Sequence, residues 1–276
     1  MPVITISRQL GSLGTPIAQL LCKELDCQCL DKESLEEAFG EYGIPKESLE
    51  RFDEKKPGFW DLFKTDKARY LHFTKGAIFK FARRGSGIIL GRGGQVLLAD
   101  LRGVLHVRVI APPDVRKETI MKQFNCDERH AQKILQDSDH ERAGFHKFFF
   151  GVNWENFDLY DLVINTGSFS AETAARLIID SLNTNEFKAA QPESARKLTD
   201  LCLEHEIKTA VIYKEKIIVQ FLEVISQNGI VTLRGIADNS DDVERCEKLA
   251  AEIPEVKEVH NEIYYSPITT AYGIQY

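Results

Sequence analysis

Short apolar runs alternate with amphipathic helical patterns through residues 1–183. The first run, residues 3–7, is rich in β-branched side chains and ends at the polar, glycine-rich stretch 8–14, which is typical of a buried strand that enters a loop. A helix is predicted next, with Thr15 at the N-cap and Pro16 at the first helical position. The chain therefore opens with a strand, a glycine loop and a helix.

The same alternation continues to residue 183. Apolar runs predict strands at 27–31, 87–90, 105–111 and 162–165. Helical patterns lie between them and after the last one, as pieces within 34–52 and as helices at 66–84, 114–124, 127–136 and from an N-cap at Ser170 to 182. Strands that alternate with helices predict an α/β domain over residues 1–183, with a parallel sheet covered by helices on both faces.

The pattern changes after residue 183. Residues 184–192 are polar with one proline and are predicted to be a linker. A helix at 194–206, two strands at 217–226 and 230–236, a helix at 241–253 and a strand at 256–265 follow. Asn228 and Gly229 are a strong hairpin signal, so a small α+β domain with an antiparallel sheet is predicted over 193–266, before a tail at 267–276.

Composition and charge narrow the functional classes. The chain has 276 residues, of which 43% are hydrophobic and 28% charged, and this excludes disordered, collagen-like and disulfide-dense proteins. Residues 191–276 carry 9 basic and 15 acidic side chains, so an anion site is expected in the first domain, and binding to nucleic acid or to an anionic membrane is not expected.

Neither a membrane span nor a secretory signal is recognisable. No run approaches the roughly 18 apolar residues that a span needs, and we expect a cytoplasmic chain. The six cysteines show no CxxC pair and no Cys/His ligand spacing, which predicts reduced thiols and no protein metal site.

The glycine loop is the first candidate for chemistry. A strand that ends in glycine-rich backbone and feeds a helix places unpaired N–H groups and the positive end of the helix dipole at one point, which suits phosphate. A tight turn that needs glycine only for its backbone angles is the alternative. A P-loop has Lys and then Ser or Thr after its last glycine, where this chain has Thr15 and Pro16, so Arg8 is a candidate replacement cation. The residues predicted to bind polyphosphate are Gly11, Ser12, Leu13, Gly14 and Thr15.

Five segments carry a resemblance to a known family: 4–12 (ITISRQLGS), 31–33 (DKE), 91–93 (GRG), Asp139 with Arg142, and 160–166 (YDLVINT). Together they make residues 1–183 similar to the cytidylate kinase-like proteins, relatives of bacterial CMP kinase. The resemblance implies a P-loop nucleoside monophosphate kinase fold with a five-stranded parallel sheet and a mobile lid. It also implies ATP and Mg²⁺ as cofactors, and transfer of the γ-phosphoryl group to a nucleoside monophosphate, with CMP or dCMP expected.

The resemblance assigns expected roles to single residues. Gly91 and Arg92 match a segment whose Arg grips the acceptor phosphate, which suits a planar guanidinium at a strand end, whereas a surface Arg beside a glycine turn is the alternative. Asp31 is expected to touch the acceptor, or to be only a helix N-cap. Asp139 and Arg142 match the lid, with Arg142 neutralising the transferring phosphoryl group; an ion pair between them at i,i+3 is the alternative.

Other residues are less specific. Gly93 stands where the family has an Asp that helps to recognise the acceptor. A kinase for a different small acceptor is therefore a further alternative. Arg108 and Arg116 are secondary cations, and Asn165 with Thr166 is either an adenine-side segment or a plain strand exit. The aromatic residues are predicted mainly to pack in the core or the lid: Phe145, Phe148, Phe149, Phe150, Trp154 and Phe157.

Residues 228–235 and 256–263, with the helix between them, resemble a BON domain. Such modules are often periplasmic and linked to lipid or partner binding; here we expect protein association, self-association or ligand sensing, without a catalytic residue. Two functions are therefore predicted: a nucleotide kinase, or a catalytically weak or inactive nucleotide-binding sensor that signals through the BON-like domain.

Overall fold

The computed structural model describes residues 2–40 and 64–267. The chain divides into two compact units, residues 1–194 and 195–276, which are described separately. The helical pieces predicted beyond residue 40 and the tail beyond Pro267 lie outside the described residues.

The first unit contains a five-stranded parallel sheet, which confirms the predicted α/β class. The strands are β1 Val3–Arg8, β2 Cys29–Leu30, β3 Gly87–Leu90, β4 Val104–Ile110 and β5 Leu162–Asn165. Their order in the sheet is β2-β3-β1-β4-β5, so β1 lies at the centre, between β3 and β4. Because the chain first fills the β2-β3 side of β1 and then crosses to the β4-β5 side, the carboxyl end of β1 is where the sheet opens a crevice for ligands.

Helices cover both faces of this sheet. The helices of this part of the chain are α1 Gly14–Glu24, α2 Lys32–Gly40, α3 Lys64–Arg83, α4 Gly94–Leu97, α5 Pro113–Phe124, α6 Glu128–Phe150 and α7 Ala171–Leu182. Ile4 and Ile6 of β1 are at most 1% exposed and belong to one core with fully buried Ile17 and Leu21 of α1. All six cysteines are free thiols.

Two helix ends differ from the sequence prediction. The predicted N-cap Thr15 is wrong, because α1 begins at Gly14 after Leu13 takes a left-handed conformation (φ 62°), and no side chain caps the helix. Helix α6 continues to Phe150, well past the predicted end at 136, because a buried face persists through Ser138, Arg142 and Phe149. The predicted cap at Ser170 is confirmed, since its Oγ accepts the Thr173 N–H at 3.2 Å.

Helix α8, Asn185–Lys208, begins within the segment predicted as a linker. Although the start of this helix is polar, two of its side chains contact the first unit. Phe187 is buried in the core of that unit, and Ser194 Oγ accepts the Gly103 N–H at 2.8 Å. No helix in the described parts of the chain is both long enough and apolar enough to cross a membrane.

The strands of the second unit are β6 Val219–Gln227, β7 Ile230–Ala237 and β8 Glu258–Tyr265, with helix α9 Ser240–Ala251 between β7 and β8. They form a three-stranded sheet of order β6-β7-β8, and buried residues of this sheet share one core with Cys246 of α9 and Ile207 of α8. Strands β6 and β7 form the predicted hairpin, but β8 runs parallel to β7. The prediction of a wholly antiparallel sheet is therefore wrong. Helix α9 is a crossover that carries the chain back to the N-terminal end of β7, so that β8 begins there and runs in the same direction as β7.

The hairpin turn is held by one carboxylate from α8. Asn228 (φ 55°) and Gly229 (φ 82°) both adopt the positive φ that the turn requires. Asp200 accepts the N–H groups of these two residues at 2.9 and 3.0 Å and the Ser226 hydroxyl at 2.7 Å. Asp200 therefore joins the hairpin turn to helix α8 by hydrogen bonds.

We predict that Asp200→Ala lowers the free energy of unfolding of the second unit by about 1–3 kcal/mol, because it leaves turn N–H groups without an acceptor. Asp200→Asn, which keeps one oxygen, is expected to lose less. Thermal unfolding and amide hydrogen exchange at Asn228 and Gly229 measure the effect. Glu244→Ala, at an exposed position of α9, is the control and is expected to change stability by less than about 0.5 kcal/mol. Equal behaviour of the Asp200 and Glu244 variants would contradict the assignment.

Candidate functional site

The glycine loop between β1 and α1 contains residues in the left-handed backbone conformation. Gly11 has φ +78°, and a Cβ there would lie 2.9 Å from the Arg116 carbonyl oxygen, so glycine is required by both conformation and space. Leu13 also has positive φ, which is uncommon for a side chain of its size. The loop therefore takes a strained path that the surrounding structure must stabilise.

Buried hydroxyl groups stabilise this path from the sheet side. Ser12 is fully buried, and its Oγ donates to the carbonyl oxygens of Gln9 at 2.8 Å and Val109 at 3.1 Å. Thr166, just after β5, donates its hydroxyl to the Ser12 carbonyl at 3.0 Å. The loop is thus fastened to two strands besides its own, and the pair Asn165–Thr166 ends the last strand with one of these contacts.

The N-terminus of α1 leaves backbone donors at the loop. No side chain caps this helix, and Gly14 and Thr15 in its first turn precede the first intrahelical bond, from Ile17 N–H to the Leu13 carbonyl. The positive end of the helix dipole lies at the same point. This part of the predicted phosphate site therefore has the polarity that an anion requires.

A cavity of about 480 Å³ opens at the loop and collects several predicted site residues. Its described lining includes the cations Arg8, Lys32, Arg92 and Arg142, and among the described lining residues Glu141 is the single carboxylate. Gly11, Leu13, Gly14 and Thr15 also line it. Ser12, Asp31, Gly91 and Asp139 do not belong to the described lining.

Arg8 reaches this cavity from the last position of β1. A Cβ on Gly14 would lie 2.5 Å from Arg8 Cβ and 2.8 Å from its Cγ, so the Arg8 stem packs directly over the start of α1. The absence of a side chain at position 14 is what admits this cation next to the loop.

Arg92 is presented by an unusual turn after β3. Gly91, Arg92 and Gly93 all have positive φ, at 78°, 57° and 73°. The Arg92 side chain is 7% exposed, and its Nη1 donates to the Tyr70 hydroxyl at 3.4 Å. A strained, buried arginine in a cavity is typical of a functional position.

Gly93 is required by an aromatic ring that sequence reasoning did not connect with it. A Cβ at this position would lie 2.2 Å from Phe150 Cε2, at the C-terminal end of α6. Phe150 therefore covers the backbone that follows Arg92, and a side chain at position 93 would displace the ring. Tyr70 and Phe150 carry no local sequence signal, because both act through residues distant in the chain.

Arg142 lies in the middle of α6, where its Nη1 donates to Ser138 Oγ at 2.8 Å. Its carbonyl oxygen lies 2.9 Å from His146 Nδ1, so that nitrogen carries the proton and donates. His146 Nε2 then accepts from Gln95 Nε2 at 3.0 Å. Because Gln95 belongs to α4, directly after the Arg92 turn, His146 joins the two segments that present Arg92 and Arg142.

Asp139 forms its ion pair with Arg116 rather than with the i,i+3 residue Arg142. Both Asp139 carboxylate oxygens accept from Arg116, each at 2.9 Å. Arg116 Nε also donates to the Leu10 carbonyl at 2.7 Å. Arg116 therefore joins the glycine loop to α6, and Asp139 fixes the position of the Arg116 guanidinium.

Asp31 caps α2. Its Oδ1 accepts the Ser34 N–H at 3.0 Å and the Ser34 hydroxyl at 2.7 Å. Burial raises the pKa of this carboxyl, but the hydrogen bonds to it, led by the two from Ser34, together outweigh burial and leave the pKa below its ordinary value. The geometry fits the N-cap alternative, and it is the next residue, Lys32, that lines the cavity.

Arg108 packs against the rings of Trp154 and Tyr160 near the carboxyl end of β1. Arg108 is 3% exposed and lies 4.2 Å from the Trp154 ring centroid and 5.4 Å from that of Tyr160. Trp154 Nε1 donates to Ser7 Oγ at 2.7 Å. Phe145, Phe149 and Trp154 are buried, as the packing interpretation predicts, whereas Phe157 is exposed.

The donor set suits a polyphosphate better than a protein-bound Mg²⁺ ion. Mg²⁺ prefers carboxylate and hydroxyl oxygens with octahedral geometry. Here the Ser12 hydroxyl donates into the sheet, position 16 is proline, and the Asp139 carboxylate is engaged by Arg116. None of these three positions fits a Mg²⁺ ligand, and the side-chain oxygens in the cavity that fit one are the Thr15 hydroxyl and the Glu141 carboxylate, whereas the cations and backbone donors fit phosphate oxygens.

Comparisons with known proteins agree with this architecture. Residues 3–168 match the model of the cytidylate kinase-like family, and residues 199–267 match the BON domain. A cytidylate kinase from Archaeoglobus fulgidus is 25% identical over 192 residues, which cover 68% of this chain and 98% of that protein. A crystal structure of an uncharacterized protein from Eubacterium ventriosum has a TM-score of 0.53 at 21% identity, covering 67% of this chain and all of that one, and supports the fold alone.

A further similarity is confined to a short region. The uronate isomerase of Corynebacterium glutamicum is 33% identical over 95 residues, which are 34% of this chain. The match spans only 18% of the length of that enzyme. No activity is transferred from it.

We predict that Asp139→Asn lowers the free energy of unfolding by about 2 kcal/mol, because it leaves the buried Arg116 guanidinium without a countercharge; the partial exposure of Asp139 keeps the loss below that of a fully buried pair. Urea unfolding of the full chain measures it. Asp137→Asn makes the same chemical change at an exposed position two residues away and is expected to cost less than about 0.5 kcal/mol. Equal losses in both variants would contradict the role given to the pair.

Proposed function

Because the chain belongs to the cytidylate kinase-like family, we propose that it is a nucleotide kinase that transfers the γ-phosphoryl group of ATP to a nucleoside monophosphate, with CMP or dCMP as acceptor. The observation that carries the proposal is the cavity at the carboxyl end of β1. There the glycine loop, the uncapped start of α1, Arg8, Arg92 and Arg142 line one space. The match of 98% of a cytidylate kinase to this chain supports the same reaction class.

The loop and the start of α1 hold the triphosphate in this proposal. Their backbone N–H groups donate to phosphate oxygens, and the helix dipole favours the negative charge. Arg8, which packs over Gly14, supplies the cation beside the loop that a P-loop lysine would otherwise provide. Because these donors are fixed before the ligand arrives, little reorganisation is needed on binding.

Arg92 and Arg142 act on the transferred group and its acceptor. The planar Arg92 fork binds the acceptor phosphate with two hydrogen bonds, and its strained turn fixes where that phosphate lies. Arg142 stabilises the charge that spreads over the equatorial oxygens in the transition state. Both guanidinium groups are largely buried, where electrostatic stabilisation is stronger than in water. Asp139 contributes through Arg116, and Asp31 by fixing the helix that carries Lys32.

One observation favours a second function. Thr15 and Pro16 stand where a P-loop has its lysine and its metal-binding hydroxyl, so two contributions to catalysis are lost while the backbone donors are kept. Such a site binds nucleotide and turns it over slowly or not at all. In that case the first domain is a nucleotide sensor that signals through the BON domain.

The kinase proposal predicts ADP formation from ATP in a coupled assay with CMP or dCMP, and much slower turnover with UMP, AMP or GMP. Arg92→Lys keeps the charge but loses the bidentate fork, so we expect the KM for the monophosphate to rise at least about tenfold, while the KM for ATP changes less than about twofold.

Two results would contradict this proposal. Nucleotide affinity without turnover in folded protein favours the sensor. No affinity for ATP or for any monophosphate, measured by calorimetry, excludes both functions.

A further inference from the structure

We propose that Arg108, which lies outside the described lining of the cavity, strengthens phosphate binding there through the field of its buried positive charge. The inference rests on the proposed function and deepens it, because it adds to the same site a residue that acts on the ligand without contacting it.

Arg108 belongs to the strand that holds the glycine loop. It is paired in register with Ser7, the penultimate residue of β1. The next residue along β4, Val109, accepts hydrogen bonds at its carbonyl oxygen from Ser12 Oγ at 3.1 Å and from the Gln9 N–H at 3.0 Å. Because neighbouring strands lie about 4.8 Å apart, Arg108 starts one strand away from the backbone at which the cavity opens.

The Arg108 guanidinium has neutral partners in the described parts of the chain. Its Nη1 donates to the Trp154 carbonyl oxygen and to the Tyr160 hydroxyl, and the group lies over the Trp154 ring. Its Nε is buried without a hydrogen-bond partner among the described residues, and none of their carboxylates forms an ion pair with it. Arg116, which is similarly buried, differs in that both oxygens of the Asp139 carboxylate lie 2.9 Å from it.

One carboxylate is bonded to the same strand but forms no ion pair with Arg108. Asp161, just before β5, accepts the backbone N–H of His106 at 2.7 Å, two residues earlier in β4. Asp161 is exposed, so water screens its charge. Arg108 and the Trp154 ring that covers it are 3% and 1% exposed, so the positive charge is screened much less.

The charge of Arg108 is costly unless an anion compensates it. Burying a cation without a countercharge carries a large desolvation penalty, which neutral acceptors and aromatic rings offset only in part. A charge shielded from water also acts over longer distances than an exposed one. Phosphate groups in a cavity one strand away supply the missing negative charge, so the same attraction strengthens ligand binding and lowers the cost of burial.

Isothermal titration calorimetry of the full chain with inorganic tripolyphosphate, at constant ionic strength and Mg²⁺ concentration, tests the proposal. Arg108→Met removes the charge and keeps most of the stem, and we expect at least about threefold weaker binding. Its urea unfolding midpoint is expected to be unchanged or higher, because the Trp154 carbonyl keeps the Tyr160 hydroxyl as a donor at 2.9 Å. Arg108→Lys keeps the charge and is expected to bind within about twofold of the unsubstituted chain.

Arg102→Met is the matched control. Arg102 is exposed and precedes β4, at the amino end of the strand that carries Arg108, so this variant makes the same change in net charge far from the carboxyl end of the sheet. We expect its affinity to stay within about 1.5-fold of the unsubstituted chain, because water screens an exposed charge. A loss as large as that of Arg108→Met overturns the inference, since net charge then explains both.

Three further results overturn the inference and leave the proposed kinase standing. One is an unchanged affinity in Arg108→Met. Another is an equal loss in Arg108→Lys, which assigns the effect to packing on Trp154. The third is that Arg108→Met and Arg108→Gln both fail to fold while Arg108→Lys folds, which makes the charge a requirement of the fold. No tripolyphosphate binding by the unsubstituted chain overturns both this inference and the proposed function.

Discussion

The candidate site depends on how the glycine loop is held against the sheet. A loop with left-handed residues at Gly11 and Leu13 is costly, and it keeps one conformation only if its neighbours determine it. Ser12 and Thr166 do so through buried hydrogen bonds that reach β4 and β5. Because these bonds consume the Ser12 hydroxyl, Ser12 offers no side-chain ligand to the cavity, and the loop presents backbone donors there. The same contacts thus explain both why the loop is fixed and why it suits an anion.

The cations are connected to this loop through long-range contacts. Arg116 bonds the Leu10 carbonyl and the Asp139 carboxylate, and so ties the loop to the helix that carries Arg142. His146 and Gln95 tie that helix to the segment after Arg92. Each cation is therefore placed relative to the loop before any ligand binds. Preorganisation of this kind is what phosphoryl transfer requires of a protein, since the reaction depends on positioning and electrostatics.

Local patterns in the sequence predicted most of the fold but only the outline of the site. The strands at 87–90 and 162–165, the Asn228–Gly229 turn and the Ser170 cap are set by neighbouring residues, and the structure has them as predicted. The partner of Asp139, the Tyr70 contact of Arg92 and the Phe150 ring over Gly93 join residues that are distant in the chain, so no local pattern reveals them. The direction of β8 was missed because it depends on the crossover of α9, and the start of α1 because Leu13 adopts a conformation that its residue type disfavours.

The central claim is that the backbone at the start of α1 binds polyphosphate without a P-loop lysine. Two-dimensional NMR of the amide groups during titration with ATP tests it at the atoms concerned. We expect saturable shifts of the Gly11, Leu13, Gly14 and Thr15 amide signals. Saturable ATP binding that moves other signals and leaves these four unchanged would contradict it.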